Sequence, residues 1–479
     1  MPPKRDPEAG CLIPEAGQWP VDPQEDQDIQ EDRLWIDGCF DFFHHGHAGV
    51  MLQSRRLGSS LIVGLHSDED IAANKGPTVM NLAERIAAVE ACRFATNCVP
   101  HAPYVTSLAW ISHYGCRFVT HGDDITSDAA GEDCYRFVKR AGRMKIVKRT
   151  PGISTTDLVG RMLLCTKEHF IKNLPDALEG KEGKGSEEER TARGEEMLKR
   201  IREYAAAPNG RDEFVQIWNW TPKHRPLERR MSTLKASDDL QRIQSHDHGK
   251  GTFTPLVSGL SPRPGQRVVY VDGGFDLFSS GHIAFLQTVS ELETKLGEER
   301  AWFTDESILK RVKDTGSDYA PAYVIVGIHT DEVINYYKRL NYPIMNLFER
   351  GLCVIQCRYI HAVVFSAPHT PSSSYLTNLP TGTPDVVYHG PTSTLQSPAT
   401  DPYADARSLS IFAETPEHRF QEVNAENIVK RIMDKRFDYE ERQRKKGEKG
   451  VGEEAHRRRE DLEKERMRRA SEVERQFGA

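Results

Sequence analysis

The stretch that decides the fold is DGCFDFFHHGHAGVM, residues 37–51. An apolar run, RLWIDG, leads into it, and its last residues are typical of a helix start, so it predicts a strand, a loop and a helix. The stretch DGGFDLFSSGHIAFL, residues 272–286, repeats the pattern with Ser279 in place of His44. We therefore expect two copies of one structural unit, and their differences separate what the fold needs from what the chemistry needs.

Residues 31–165 are predicted to form the first domain. The runs RLWIDG and SLIVGLH predict buried strands, and HAGVMLQSRRLG between them predicts a helix that ends near Gly58. A strand, a helix and a strand of these lengths form a βαβ unit, which implies a parallel sheet. Further strands and helices are predicted up to KIVKRTPGIST, where a helix starts at Thr155.

Residues 265–435 are predicted to form the second domain, because the order of the first restarts there. VVYVDGGFDLF matches RLWIDGCFDFF, VIVGIHTDEVI matches LIVGLHSDEDI, NYPIMNLFER matches KGPTVMNLAER, and VVYHGPT matches FVTHGDD. Chance does not preserve the order of four blocks, so the pattern indicates duplication. A polar, charged insertion lies at 293–320. The predicted fold class is α/β, with two Rossmann-like parallel-sheet domains in tandem.

The remaining segments are predicted to lie outside these domains. Residues 1–30 predict a disordered arm, 166–264 a charged insert and linker, and 436–479 a charged helical tail. Within the insert, FVQIWNWTPK contains two tryptophans and is expected to pack on one of the domains.

The composition excludes several classes of protein. A net charge of −7 gives no reason to expect nucleic-acid binding. Nine cysteines without CxxC pairs indicate reduced thiols, as in the cytoplasm, and neither a disulfide framework nor a zinc site. No run of about 18 apolar residues occurs, so no membrane span is predicted, whereas peripheral contact with a membrane such as the endoplasmic reticulum stays open.

The first candidate for chemistry is the histidine pair in HHGH. Ligands of α/β sheets bind at the carboxyl ends of the strands, and the amides of a helix start favour anions. His44 and His47 lie three positions apart and can face one side, while Gly46 allows a phosphate to approach the backbone. Imidazoles at that position suit a phosphate that gains charge during reaction. The alternative is an ordinary helix start.

Two further elements have the chemistry of phosphate binding. In RTPGISTT, residues 149–156, Arg149 offers a planar fork for phosphate, and Ser154 and Thr155 place hydroxyls at a helix start. The alternative for this segment is an N-capped helix with a solvated arginine. Lys75, in the loop sequence NKGPTVM, is a compact charge that could reach a phosphate, or a lysine that is only solvated.

Taken together, DGCFDFFHHGH, GLHSDEDIAANKGPTVMNLAER, HGDD and RTPGISTTDLVGRML resemble the cytidylyltransferases of the H-x-G-H nucleotidylyltransferase superfamily. The duplication, HGDD and STTDLVGRML resemble the branch that acts on phosphoethanolamine, and the lipid-sensing helix of the choline branch is not evident. The resemblance implies that CTP and phosphoethanolamine give CDP-ethanolamine and pyrophosphate, with Mg²⁺ accompanying CTP, on the way to phosphatidylethanolamine.

The resemblance also implies roles for individual residues. His44 and His47 would stabilise the α-phosphate and the departing pyrophosphate, Lys75 would bridge the acceptor phosphate and CTP, and Arg149 would hold the β- and γ-phosphates. The residues expected to contact the nucleotide are Gly38, Phe40, Gly46, His121, Gly122, Asp123, Thr150, Ser154 and Thr155. For the substrate ammonium, Asp37 is the first candidate, followed by Asp124 and Tyr135, and no protein metal site is predicted.

The second domain is predicted to be catalytically impaired. Ser279 replaces the first histidine, HRFQEVNAENIVKRI has no RTxGxST turn, and Leu340 or Asn341 stands at the lysine position, although Lys338 is close by. This domain could instead bind a nucleotide weakly, or support the first domain by packing against it. Three alternatives stay open for the whole chain: activity on phosphocholine or on both acceptors, a pseudoenzyme that senses CTP or scaffolds other lipid enzymes, and an H-x-G-H relative that transfers an adenylyl or aminoacyl group. Formation of a homodimer also stays open.

Overall fold

The computed structural model describes residues 27–124, 126–223, 250–391, 401–437 and 439. Within these ranges the first domain contains a five-stranded parallel sheet with the strand order β3-β2-β1-β4-β5. Its strands are β1 (Gln30–Gly38), β2 (Ser60–Leu65), β3 (Asn97–Pro100), β4 (Cys116–Gly122) and β5 (Met144–Val147). The predicted arm lies outside the described residues up to residue 26.

Six helices accompany this sheet among the described residues. They are α1 (His45–Arg55), α2 (Asp68–Lys75), α3 (Leu82–Glu90), α4 (Leu108–His113), α5 (Arg136–Arg140) and α6 (Thr155–Leu164). Local sequence fixes several of the starts. For example, the Asn81 side chain accepts from the Glu84 amide while the Glu84 carboxylate accepts from the Asn81 amide, a capping box that begins α3.

In the described part of the range predicted to be an insert and linker, 166–264, there are two helices and two strands. The helices are α7 (Leu174–Leu178) and α8 (Glu187–Tyr204), and the strands are β6 (Gln216–Pro222) and β7 (Gly251–Val257). Both strands belong to the second sheet, which therefore begins well before residue 265. The physical reason is that Trp218 and Trp220 are buried against that sheet, which extends it by an edge. Residues 224–249 lie outside the described part.

The second sheet repeats the first and extends it. Its order is β12-β11-β8-β9-β10-β6-β7, and every pairing is parallel except that of β6 with β7. The remaining strands are β8 (Arg267–Gly273), β9 (Ala322–Ile328), β10 (Ala362–Phe365), β11 (Val386–His389) and β12 (Phe412–Glu414). The order β10-β9-β8-β11-β12 reproduces that of the first sheet, so the predicted duplication of an α/β unit is confirmed.

The helices of the second domain follow the same plan. After a 3₁₀ turn at Asp276–Phe278 come α9 (Ser280–Glu299), α10 (Asp305–Thr315), α11 (Asp331–Lys338), α12 (Leu347–Ile355), α13 (Ser373–Thr377), α14 (Ala404–Ser408) and α15 (Ala425–Asp434). The insertion expected at 293–320 lengthens α9 and adds α10. Residues 440–479 of the predicted tail lie outside the described part. Among the described residues no helix is long and apolar enough to cross a membrane.

The two domains contact each other through reciprocal contacts. Arg161 of α6 binds the Glu349 carboxylate with N–O distances of 2.7 and 2.8 Å, and Arg431 of α15 binds the Glu84 carboxylate at 2.8 and 2.8 Å. Cys92 pairs with Cys357 in a short antiparallel bridge. The largest buried apolar cluster continues from one domain into the other. The domains are therefore related by a local pseudo-two-fold axis and share a core.

Candidate active site

A cavity of about 800 Å³ opens at the carboxyl ends of β1 and β4 in the first domain. This volume lies within the range of small-molecule and cofactor sites. The first turns of α1 and α6 both contribute to its wall, so two helix starts face one space. Of the residues predicted from the sequence, the wall contains Asp37, Gly38, Phe40, His44, Gly46, His47, Lys75, His121, Gly122, Asp124, Arg149, Thr150, Ser154 and Thr155.

His44 and His47 stack at the start of α1, with ring centroids 4.0 Å apart. The Nδ1 atom of His44 accepts from the Gly46 amide at 3.0 Å, and Nδ1 of His47 accepts from the His44 amide at 3.4 Å. Because Nδ1 accepts in both rings, each neutral imidazole carries its proton on Nε2, a tautomer that follows from these bonds. The pair therefore caps the helix with one nitrogen and keeps an N–H donor on the other.

The surroundings of His47 are apolar and cationic. The rings of Phe40 and Phe43 lie 5.5 and 5.7 Å from its ring, centroid to centroid. Burial lowers the pKa of His47 most, the charges of Arg149 and Lys75 also lower it, Asp124 raises it, and the resulting pKa is about 3. His47 is therefore neutral at ordinary pH, and two cations face it across the cavity.

The loop between β1 and α1 is strained and tightly packed. Phe40 and Phe42 have φ angles of 51° and 48°, in the left-handed region that non-glycine residues rarely adopt. The Asp41 carboxylate holds the loop by accepting from the Val79 and Met80 amides at 3.1 and 3.0 Å. This shape is repeated in the second domain, so it belongs to the fold and not to the chemistry alone.

Gly46 has no room for a side chain. A Cβ atom at that position would lie 2.8 Å from the His44 ring and 2.9 Å from Cγ2 of Ile153. Its role is therefore to let α1 and the segment before α6 approach each other. Gly49 is confined in the same way, because a Cβ there would lie 2.3 Å from the hydroxyl of Tyr204 on α8.

The start of α6 forms the opposite wall. The Ser154 hydroxyl caps the helix by accepting from the Asp157 amide at 3.0 Å, and the Thr155 hydroxyl donates to the Asp41 carbonyl at 3.1 Å. The first amides of a helix have no acceptor within the helix, and they favour an anion. The two hydroxyls thus fix the direction of these amides toward the cavity.

Lys75 and Arg149 supply positive charge from two loops. Lys75 ends α2 and lies 6.0 Å from the centroid of the Tyr104 ring. Arg149 is half-exposed, with its guanidinium 3.8 Å from the Asp124 carboxylate and its amide donating to Asp123 at 3.1 Å. An exposed pair of this kind contributes little stability, so a phosphate can compete for the arginine.

Asp37 lies in the wall but is already engaged. Its carboxylate accepts from Trp35 Nε1 at 2.8 Å, from the Thr106 hydroxyl at 2.6 Å and from the Tyr135 hydroxyl at 2.7 Å. Tyr135 therefore lies behind Asp37 and not in the cavity wall, and Asp123 is also absent from the wall. The structure keeps both close to the site, as supports of Asp37 and Arg149.

Sequence reasoning missed several residues of this site. Asp41 lines the cavity, and so does Tyr439, which follows the last described helix of the second domain. Tyr204 supports the site from outside by donating to the His45 carbonyl at 2.5 Å. Asp41 recurs as Asp276 and could have been found from the repeat. Nothing in the sequence around Tyr439 and Tyr204 indicates that they belong to the site, because both lie far along the chain from HHGH.

The corresponding helix start of the second domain differs from that of the first. The Ser279 hydroxyl donates to the Val423 carbonyl at 2.6 Å. A Cβ at Gly281 would lie 2.2 Å from that carbonyl oxygen and 2.9 Å from that of Phe420. Ile153 stands directly before the N-cap of α6 as Val423 stands before that of α15, so the start of α9 packs on this segment much as the start of α1 does. What the second domain lacks is the imidazole at the Ser279 position, and its loss of activity stays a prediction.

The structure corrects the assignment of the lysine position in the second domain. Lys338 ends α11 as Lys75 ends α2, so Lys338 is the equivalent residue, and neither Leu340 nor Asn341 is. The shift arises because the loop after α11 is two residues longer before the matching methionine. The ammonium of Lys338 lies 3.3 Å from the Glu426 carboxylate, which neutralises it.

Among the described residues no group of three His, Cys, Asp or Glu side chains could hold a metal ion. Asp37 and Asp41 already accept two or more hydrogen bonds each, and Asp124 is the carboxylate of the wall that remains half-exposed. These carboxylates could add a ligand to an ion that is already bound to the phosphates of a substrate. They are too few to hold an ion on their own.

Comparison with known proteins places this site in a family. A cytidylyltransferase-like family model matches residues 35–161. The chain is 36% identical to the ethanolamine-phosphate cytidylyltransferase of Mus musculus, over 86% of this chain and 89% of the relative. It is 35% identical to that of Dictyostelium discoideum, over 88% and 95%.

The choline branch matches a smaller part of the chain. Choline-phosphate cytidylyltransferase A of Rattus norvegicus is 38% identical, but over only 31% of this chain and 41% of the relative. The ethanolamine-phosphate relatives match across both copies of the unit, which confirms the resemblance seen in the sequence. The chain belongs to the ethanolamine-phosphate cytidylyltransferases.

Proposed function

We propose that the cavity of the first domain transfers the cytidylyl group of CTP to phosphoethanolamine, giving CDP-ethanolamine and pyrophosphate. The observation that carries the proposal is the stacked pair His44 and His47 at the start of α1, with Lys75 and Arg149 in the same wall. Neutral N–H donors and two cations suit a triphosphate whose charge moves during reaction.

The reaction proceeds by in-line displacement. An oxygen of the acceptor phosphate forms a bond to the α-phosphorus of CTP, and the bond from that phosphorus to the bridging oxygen of pyrophosphate breaks. The acceptor phosphate is an anion near neutral pH, so no general base is required and catalysis consists of positioning and charge stabilisation. The low pKa of His47 supports a role as a donor and not as a base.

The two helix starts divide the triphosphate between them. His44 and His47 donate to the α-phosphate and the departing pyrophosphate through Nε2. Arg149 binds the β- and γ-phosphates together with the Ser154 hydroxyl and the amides of Ser154 and Thr155. The remaining residues predicted to contact the nucleotide frame its sugar and base: Gly38, Phe40, His121, Gly122 and Thr150.

The acceptor lies on the side of the cavity that Lys75 forms. Lys75 binds the acceptor phosphate and CTP together. For the ammonium, Asp37 supplies negative charge at the floor, which Tyr135 and Thr106 hold in place, and Asp124 supplies it at the rim. Mg²⁺ enters with CTP as part of that substrate, and Asp124 is the carboxylate available to it. The CTP would come from the cytoplasm. Any contact of the protein with the endoplasmic reticulum would involve surfaces outside this cavity.

A competition experiment tests the proposal. Purified protein is incubated with CTP, Mg²⁺ and equal amounts of phosphoethanolamine and phosphocholine, and the products are identified by mass spectrometry. We expect mainly CDP-ethanolamine. Mainly CDP-choline would overturn the acceptor and leave the chemistry in place, and no CDP product would overturn the function.

A further inference from the structure

Tyr439 lies in the wall of the first domain's cavity although it comes from beyond the second domain. It is 2% exposed, and it lines the cavity together with Lys75 and Pro77. Its hydroxyl donates to the Thr78 carbonyl at 3.0 Å, across 361 positions of sequence. A buried hydroxyl that binds a backbone carbonyl fixes that backbone, since leaving either group unpaired is unfavourable.

The carbonyl of Thr78 belongs to the loop that carries Lys75. This loop runs from the end of α2 to the start of α3 and is held on one side by the first domain itself. The Asp68 carboxylate accepts from the Thr78 hydroxyl at 3.3 Å and from the Leu82 amide at 3.0 Å. Tyr439 holds the same loop from the other domain. The position of Lys75 therefore depends on both copies of the unit.

The helix that precedes Tyr439 is fixed to the first domain. Arg431 of α15 binds the Glu84 carboxylate through both terminal nitrogens and reaches the Val79 carbonyl at 3.5 Å. Glu84 is buried and caps α3, directly after the Lys75 loop. The paired contact sets the register of α15 against that loop and so determines where Tyr439 lies.

The pseudo-two-fold axis supplies a matched comparison. The mirror of Tyr439 is His169 of the first domain, whose Nε2 donates to the Pro343 carbonyl at 2.8 Å. Pro343 stands in the second domain where Thr78 stands in the first, two positions before the methionine that begins each matching MN pair. The same contact thus occurs in both domains, beside the cavity in the first domain and at the equivalent position in the second.

We propose that Tyr439 is a positioning residue of the acceptor site, supplied to the first domain by the second. Its hydroxyl holds the Lys75 loop, and its ring closes the acceptor side of the cavity. This proposal rests on the proposed function, because it takes phosphoethanolamine as the ligand next to Lys75. The second domain then contributes directly to a site whose chemistry lies entirely in the first.

The test separates the two substrates. Initial rates are measured for the full chain and for Tyr439→Phe, Tyr439→Ala and the mirror control His169→Phe, varying phosphoethanolamine and CTP in turn. Loss of one hydrogen bond predicts that Tyr439→Phe raises KM for phosphoethanolamine about three- to ten-fold and KM for CTP less, because Arg149 and the two helix starts also hold CTP. Tyr439→Ala removes the wall too, so its KM rises further and its kcat falls. His169→Phe keeps both KM values.

The outcomes distinguish the two proposals. Unchanged KM for phosphoethanolamine in both Tyr439 variants would overturn the positioning role, and so would an equal change in His169→Phe, which would indicate a general effect of the interface. If the unaltered chain forms no CDP-ethanolamine, the proposed function fails instead. Partial retention of activity in Tyr439→Phe relative to Tyr439→Ala would support separate roles for the hydroxyl and the ring.

Discussion

His44 and His47 use their two ring nitrogens for different purposes. Nδ1 caps α1 in both cases, and this places the ring proton on Nε2. In the second domain His282 keeps its capping contact with the Ser279 amide at 3.1 Å, while the first imidazole is absent. The fold therefore tolerates serine at the first position, and the need for histidine there is chemical.

For single residues, the sequence predicts positions along the chain but not long-range contacts. The spacing in HHGH is enough to predict that both imidazoles lie at a helix start. The saturation of Asp37 could not be predicted, because Thr106 and Tyr135 reach it from 69 and 98 positions away. Distances of that kind depend on how the strands are ordered, and a single sequence does not state that order.

Converting the first domain to the residue of the second gives a direct prediction. His44→Ser should keep the fold and remove one donor, so kcat should fall about a hundred-fold or more, as for loss of a preorganised donor. Steady-state kinetics and thermal unfolding measure the two effects. The reciprocal change, Ser279→His, should give the second domain no activity, because the RTxGxST turn is also missing there and Glu426 neutralises Lys338. A large loss of stability in His44→Ser would contradict a chemical role.

The pH dependence of activity should not report His47. Its pKa is lowered to about 3, first by burial and then by the charges of Arg149 and Lys75, so it stays neutral at every working pH. We expect kcat/KM for phosphoethanolamine to rise with pH through about 6, where a phosphate monoester loses its second proton. His47→Asn should lower the plateau and leave this limb in place. If kcat/KM no longer rises with pH in His47→Asn, the rise would come from titration of the histidine and not of the substrate.

At the scale of elements, α6 and α15 are mirror helices that each anchor to the opposite domain. The Arg161 side chain is 12% exposed and that of Glu349 8%, whereas the Arg431 side chain is 37% exposed. Sequence pattern predicted most strands and the start of α6 at Thr155. It did not predict that β6 and β7 join the second sheet, because a short run such as QIWNW has no partner specified locally.

The difference in burial predicts a difference in stability. Arg161→Met leaves the Glu349 carboxylate buried without its partner and should lower the free energy of unfolding by about 3 kcal/mol. Arg431→Met also leaves a buried carboxylate, that of Glu84, without its partner, but it should cost less because the Arg431 guanidinium is partly solvated and water can replace it. Urea unfolding of the two variants, side by side, gives the comparison. Equal costs, or a greater cost for Arg431→Met, would mean that burial does not govern these pairs.

At the scale of the whole molecule, duplication has produced two copies of the unit on a shared core, and the first copy has the cavity with both imidazoles. The order of the sequence blocks predicted the two copies. It did not predict their contact surface, since bonds such as that from Arg93 to the Cys357 carbonyl join residues 264 positions apart. Through the reciprocal contacts at the axis the second domain holds α6 and the Lys75 loop of the first domain. The first domain therefore depends on the second for the shape of its site.

Buried neutral histidines predict that the whole molecule loses stability in acid. Burial lowers the pKa from 6.5 to about 3 in His45, His47, His282 and His329. The unfolded chain therefore binds more protons between about pH 3 and 6.5, so the free energy of unfolding falls as pH drops through that window. Asp272 opposes this trend, because burial raises its pKa to about 7.

Unfolding measured at several pH values checks this sign. His282→Asn removes one of the four groups and should reduce the slope of stability against pH by up to about 1.4 kcal/mol per pH unit. The variant is a suitable choice because the asparagine oxygen can still accept from the Ser279 amide. An unchanged slope in His282→Asn would mean that this histidine is already protonated in the folded state.

Of the two duplicated helix starts, that of α1 does the chemistry and that of α9 does not. The most direct test compares kcat for CDP-ethanolamine formation in His47→Asn and His282→Asn, two matched changes that keep the capping acceptor and remove Nε2. We predict that His47→Asn loses about a hundred-fold or more and that His282→Asn keeps nearly all activity. An equal loss in both variants would contradict the account.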